Sequence, residues 1–284
     1  MKAIKLASVF AVSAVAAAVS TATFAAEAVI TGEAGVEYVS YTNDTSDSAD
    51  GTDLGELELH VDTGVVYAEL EIRSNGSEST EILMEKLYVK QGAVSFGSFD
   101  GSVATGSFFG MDELFDGVGL SSTSDTDDTG IRYKVSPELT VALEATQSTT
   151  TEDSDIGFAA SYVKDFGVIK AGISGGVVGD ANAINVGMQT VSGPFTVSLN
   201  YGVGEEGSGT TTDVEKMTTS FAFAATDALT LTLEYSNELE KEQDGTYFIG
   251  EYVSGDLTYY VKNYNGDLVG DAKERTIVGV KTFF

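Results

Sequence analysis

His60 is the only histidine in a chain of 284 residues that contains no cysteine. That inventory excludes a disulfide framework, a cysteine-based zinc site and any multi-histidine metal centre. A hydrolase built on this imidazole would need a nucleophile and an orienting group beside it. His60 instead belongs to Glu56-Leu57-Glu58-Leu59-His60-Val61-Asp62, where every second residue is polar. It reads as a polar wall residue, and the chain reads as a non-enzyme.

Carboxylates are the abundant chemistry. Forty-four Asp and Glu against 15 Lys and Arg give a net charge of −29. Nucleic acid is excluded as a partner, because its affinity rests on basic side chains that displace counterions from phosphates. Asp44, Asp47, Asp50 and Asp53 recur at three-residue spacing and offer oxygen ligands to a divalent cation. The plainer reading is a solvated acidic loop, since Ca²⁺ needs a rigid turn that this Ser-rich stretch does not specify. No other cofactor is implied. A calcium-binding β-roll is excluded by the absence of a Gly-Asp nonapeptide repeat.

The charged residues must be positioned by elements of period two. Leu229-Thr230-Leu231-Thr232-Leu233-Glu234-Tyr235-Ser236 alternates without a fault, and Leu139 to Thr146, Phe195 to Tyr201 and Tyr67 to Arg73 do the same. Such alternation predicts strands with one apolar and one polar side. The chain is 42% hydrophobic with 13 Tyr and 15 Phe, so global disorder is excluded despite the charge. Sixteen strands are predicted, from 28–41 to 274–284, and no helix-period segment of comparable length appears.

The gaps between these strands differ by parity. Every second gap is short and carries turn residues, such as Asp62-Thr63-Gly64, Ser136-Pro137-Glu138 and Ser254-Gly255-Asp256; both prolines sit there. The other gaps are longer and acidic or small-polar, such as Asn43 to Asp53. Short turns at one end and long loops at the other describe an all-β, transmembrane, antiparallel up-and-down β-barrel. A Lys or Arg facing lipid at mid-membrane costs about 2–4 kcal/mol, so charges should fall on the inward phase. Glu58, Glu69, Glu71, Arg73, Arg132, Lys134, Glu144, Lys170 and Glu234 all oppose the apolar phase. Glu85 and Glu251 fit less cleanly, which suggests a bulge or a rim position. At about 16 residues per strand, barrels of 12 or 14 strands remain open.

Residues 1–25 have a charged start, an apolar middle and small residues before a cut after Ala25, as in a cleaved secretory signal. Cleavage would remove Lys2 and Lys5 and no acids, leaving 13 bases against 44 acids, about −31. Residues 26–284 then form a single barrel domain. One connection breaks the loop pattern. Residues 100–128 are far longer than the loops of compact proteins, which marks a functional or a disordered segment, and the first half is aromatic and apolar enough to pack against something.

The position of this long loop after the fifth strand, the segment Gly130-Ile131-Arg132-Tyr133-Lys134-Val135-Ser136-Pro137, and the ending Ile277-Val278-Gly279-Val280-Lys281-Thr282-Phe283-Phe284 carry a family likeness. The mature chain resembles the Gram-negative general diffusion porins. The likeness implies a trimeric sixteen-stranded barrel in the cell outer membrane, whose third long loop, here about residues 100–128, folds into the lumen. It implies passive diffusion of small hydrophilic solutes and ions through a charged constriction, with Asp112, Glu113 and Asp116 on the loop side. Arg73, Lys86, Lys90, Arg132 and Lys134 would form the facing basic wall. Phe284 would be read by the barrel assembly machinery, and outer-membrane lipid and lipopolysaccharide would be the surrounding partners. Glu33, Glu37, Glu56, Glu58, Glu69 and Glu71 also point inward and outnumber the bases, so cation preference is expected. A substrate-specific channel of the same architecture is the competing expectation. Tyr260 and Tyr264 lie in phase on one strand, too few to mark an aromatic track.

Overall fold

In the computed structural model, residues 27–42, 48–50, 55–74, 80–104, 106, 108–109, 113–114, 117–120, 128–145, 155–207, 211–269 and 274–284 are described. Residues 1–25, expected to be a cleaved signal, lie outside them, as do Asp44, Asp47, Asp53, Asp112 and Asp116. Among the described residues every regular element is a strand. In chain order these are β1 (Glu27–Tyr41), β2 (Ser48–Asp50), β3 (Glu56–Asp62), β4 (Val66–Ser74), β5 (Thr80–Gln91) and β6 (Val94–Phe99). There follow β7 (Asp128–Lys134), β8 (Leu139–Ala145), β9 (Ile156–Asp165), β10 (Ile169–Val178), β11 (Ala181–Ser192) and β12 (Phe195–Glu206). The last five are β13 (Thr212–Ala224), β14 (Leu229–Glu238), β15 (Gln243–Ser254), β16 (Leu257–Asn265) and β17 (Arg275–Phe283).

From β3 onward each strand pairs antiparallel with the next, and β1 closes the ring. One edge of β1 pairs Glu33 to Tyr41 with β17, while the other pairs Glu27 to Glu33 with β3 and Glu37 to Val39 with the three-residue β2. β2 is thus an interrupted extension of β3, and the barrel has sixteen strands. Barrels of 12 or 14 are excluded. At the closing seam Gly32 and Phe284 exchange two backbone hydrogen bonds of 3.0 Å. A side chain at Gly32 would meet the Phe284 ring, 2.7 Å from Cζ. Phe284 is therefore bound into the sheet at the seam.

The period-two reading survives residue by residue. Val36, Leu143, Ile173, Val186, Leu233 and Val261 are exposed on the outer face, while Glu69, Glu144, Asn185, Thr218, Glu234 and Ser236 are buried on the inner one. This inverts a soluble protein, where large contiguous apolar surface is rare. The two misfits resolve as geometry. The β4–β5 register shifts between Glu69 and Leu70, so Glu85 is the extra residue of a β-bulge. Glu251 pairs with the buried Tyr260 and belongs to the inward phase.

Four of the short turns share one device: a side-chain oxygen at the turn's start accepts backbone N–H groups. Asp62 accepts Gly64 N at 2.8 Å, Ser136 Oγ accepts Leu139 N at 3.1 Å, Asp165 accepts Gly167 N at 2.7 Å and Thr226 Oγ1 accepts Leu229 N at 3.0 Å. On the outer face just above these turns stand Tyr133, Tyr162, Phe195, Phe221, Tyr252 and Tyr259, with Phe195 stacked on Phe223 at 5.0 Å. The placement suits an interfacial girdle. One parity expectation fails. The β10–β11 connection lies at the long-loop end yet is the two-residue turn Gly179-Asp180, closed by Gly179 at φ 58°.

If the outer face meets lipid, Val186→Arg at the middle of β11 should destabilise the folded state by about 2–4 kcal/mol. Gln189→Arg, three residues along on the inner face, should cost no more than about 1 kcal/mol, the repulsion from Lys170 opposite it. Urea unfolding from lipid vesicles checks the contrast; equal effects would contradict the orientation.

Candidate functional site

The inner wall formed by β1, β3 and β4 carries the expected acids in register. Glu33 lies opposite Glu56, Thr31 opposite Glu58, Glu58 opposite Glu71, and His60 opposite Glu69. Like charges directly opposite on neighbouring strands repel, so this patch needs cations. Lys281 Nζ reaches Glu33 at 2.9 Å, and Arg73 pairs with Glu71, donating from a terminal guanidinium nitrogen at 2.8 Å. Glu37 accepts from the Tyr260 hydroxyl. Thr31 donates to Glu58 at 3.2 Å.

All five expected bases face inward, but they do not form one cluster. Lys86 is bound to Glu69 at 2.6 Å and lies 3.6 Å from Asp100; Lys90 is bound to Asp62 at 2.6 Å. Arg73 lies towards the long-loop end of β4, where it opposes Glu56 and Glu81. Lys86, Arg132 and Lys134 do meet, lining a recess of about 390 Å³ with Ser95, Asp100, Thr140 and Ser161. Arg132 stacks over the Phe99 ring at 4.0 Å and donates to the Gly101 carbonyl. Three of these bases are thus locally neutralised by wall acids, which leaves acid as the dominant charge of this side.

The described residues of 100–120 touch inward-facing groups over a wide arc. Glu144 accepts from Ser102 and from Val103 N, the latter at 2.7 Å. Asn200 donates to the Phe108 carbonyl at 3.0 Å. Asn185 holds Val118 with both ends of its amide, accepting from Val118 N at 3.0 Å and donating to Val118 O at 2.8 Å. Glu206 accepts from Gly119 N at 3.1 Å and Glu234 from Leu114 N at 3.3 Å. The wall is small where this segment lies. A methyl on Gly172 would come within 2.6 Å of Phe108 Cδ1, one on Gly176 within 2.7 Å of Leu120 Cδ1, and one on Gly187 within 2.6 Å of Phe108 Cβ. Val103, Ala104, Val118 and Leu120 pack there with Ala142, Ala159 and Ala183.

Glu113 is the described member of the expected loop acids. It accepts from Tyr264 at 2.8 Å and Tyr247 at 3.3 Å, on β16 and β15. Its bonding partners are therefore on other strands than the expected bases. Arg275 stacks over Tyr264 at 4.1 Å beside it. Asp50 has its backbone in β2, opposite Glu37, and its side chain lies outside the described residues.

Sequence reasoning missed the small residues and the amides. Ala142, Ala159, Gly172, Gly176, Ala183 and Gly187 all occupy the inward phase of consecutive strands. Polar residues were expected there, and their replacement by Gly and Ala was the readable sign that other chain covers this wall. Asn185 and Asn200 looked like ordinary inward polar residues.

No family model matches the chain, and no curated protein matches it in sequence. Its fold is similar to solved outer-membrane barrels. A loop-deletion mutant of OmpT, an outer membrane protein of Vibrio cholerae, superposes with a TM-score of 0.66 at 16% identity, covering 92% of this chain and 100% of that one. A triply substituted Rh. blastica porin gives 0.61 at 15%, with the same coverages. OmpT folded in vitro, in a trimer form, gives 0.62 at 13%, covering 92% of this chain and 99% of that one.

Asn185→Leu should leave Val118 N–H and C=O without partners, a cost of about 1–3 kcal/mol that corresponds to roughly 5- to 150-fold faster opening. Amide hydrogen exchange at Val118 and Gly119 checks this; unchanged protection would contradict the anchoring role of Asn185.

Proposed function

We propose that the chain is a porin of a Gram-negative outer membrane: a water-filled channel for passive diffusion of small hydrophilic solutes and ions, with a preference for cations. The observation that carries the reading is the sorting of the closed sixteen-strand ring, apolar outside and charged inside. Segment 100–128 acts as the constriction, supported by its contacts with inward groups from Glu144 on β8 to Tyr264 on β16. Cation preference is supported by an acidic wall in which Arg73, Lys86 and Lys90 are already paired with wall carboxylates. Residues 1–25 serve as the export signal, and Phe284 as the recognition residue for barrel assembly. Lipid and lipopolysaccharide surround the apolar belt, and three copies assemble as a homotrimer. The protein is not an enzyme.

Diffusion is favoured over a solute-specific track by the state of the tyrosines. Tyr247, Tyr260 and Tyr264 are buried, and their hydroxyls are committed to Glu113 and Glu37. Their faces are thus not laid out as a path for sugars.

Two bilayer measurements test the reading. In a KCl gradient the zero-current potential should carry the sign of K⁺ permeating faster than Cl⁻; the opposite sign would overturn cation preference. Conductance should appear in multiples of three equal steps, and absence of any conductance would overturn the channel.

A further inference from the structure

Passive diffusion gives no role to the arrangement around the chain's sole imidazole. Thr31 Oγ1 lies 3.0 Å from His60 Nε2 and 3.2 Å from Glu58 Oε2, and Glu58 Oε2 lies 2.9 Å from the same nitrogen. Nitrogen and oxygen ligands bound at about 2.1 Å to one ion stand roughly 3.0–3.4 Å apart in octahedral or tetrahedral geometry. The three atoms therefore already have the spacing of one face of a coordination shell. They come from two strands, Thr31 from β1 and the other two from alternate positions of β3.

The far side of the ring is held in the manner of a metal-binding histidine. Nδ1 lies 3.0 Å from the Tyr67 hydroxyl and 3.1 Å from Glu69 Oε2. Tyr67 donates its only proton to Glu69 at 2.6 Å, and the other oxygen of Glu69 accepts from Lys86 at 2.6 Å. Nδ1 is left facing two acceptors, so it must carry its own proton. A carboxylate that accepts from one imidazole nitrogen orients the ring and makes the other nitrogen a better ligand. On a neutral ring, Nε2 then directs a lone pair at the Glu58 carboxylate. A metal ion held by both atoms, 2.9 Å apart, would turn that opposition into attraction, whereas the single proton of Thr31 can serve only one of them.

We infer that Thr31, Glu58 and His60, oriented by Glu69, form a lumen-wall site for a divalent transition-metal ion. One nitrogen and two oxygens suit the borderline ions Cu²⁺ and Zn²⁺ better than Ca²⁺ or Mg²⁺, which favour oxygen alone. Cu²⁺ binds tightest, by the general order of divalent affinities. His60 and Glu58 remain 23% and 32% exposed, so water completes the shell and the ion exchanges with the lumen. The site would hold such ions on their way through the channel. Its role in transport rests on the channel reading; the binding itself does not.

The test is Cu²⁺ electron paramagnetic resonance on the full, untagged, detergent-folded barrel, since a histidine tag would add imidazoles. The expected spectrum shows one equivalent of Cu²⁺ per chain coupled to one imidazole nitrogen. His60→Ala should abolish that coupling, while Glu69→Gln should keep it and weaken affinity roughly 10- to 100-fold. Unchanged heat-modifiable migration on gels shows that each variant has folded. Nitrogen coupling that persists in His60→Ala places the ion elsewhere, for instance at the chain terminus, and overturns the inference. Uptake without nitrogen coupling assigns it to acidic loops and overturns it as well. Conduction without the imidazole signal sinks this site alone, whereas the signal without conduction sinks the channel reading alone.

Discussion

In hydrocarbon no water is present to satisfy a backbone N–H or C=O, so a sheet that enters a bilayer must leave no open edge. The closure of β1 on both β17 and β3 meets that demand and fixes everything else. It holds only if one strand is long enough to serve two partners along its length, and β1, at 15 residues, is the longest strand among the described residues. It holds also only if the last residue can join the ladder. Gly32 lets Phe284 approach the sheet, and the two exchange backbone hydrogen bonds where the ring is sealed.

Once the ring is closed, period two decides the rest. Each strand sends alternate residues to two environments that could not differ more, so acids excluded from one face accumulate on the other. That concentration has its own cost, since Glu33, Glu56, Glu58 and Glu71 face one another across β1, β3 and β4. The wall meets it with Arg73, Lys86 and Lys281, which are drawn into local pairs. Opposite this acidic sector the wall changes character. Inward Gly and Ala on β8 to β11 leave a shallow bed in which Phe108, Val118 and Leu120 rest. The same inner surface therefore serves two purposes by composition alone: charge on one arc, room on the other.

Much of this was legible in the sequence. Strict alternation in strands such as Leu229 to Ser236 gave the face of each residue, because a strand with one polar side has a single tolerable orientation. Turn residues gave the short connections for the same local reason. What depended on pairing between distant strands was not legible. Nothing near Glu85 announces a bulge, which exists only relative to the register of β4. Gly179-Asp180 broke the loop parity because a two-residue turn is permitted wherever a glycine can take positive φ. Glu113 was expected to face the basic wall, yet its hydroxyl partners Tyr247 and Tyr264 come from 134 and 151 residues away. Glu58 and His60 share a face by simple alternation, but Thr31 and Glu69 join them only through the β1–β3–β4 register.

The central claim is that one face of every strand meets lipid and the other meets water. The chain has no cysteine, so single cysteines report without background. Introduced in turn at positions 230, 231, 232 and 233 of β14 in lipid vesicles, they should react with a charged, membrane-impermeant thiol reagent at 230 and 232 and stay protected at 231 and 233. Uniform reactivity, or the opposite alternation, would contradict the account.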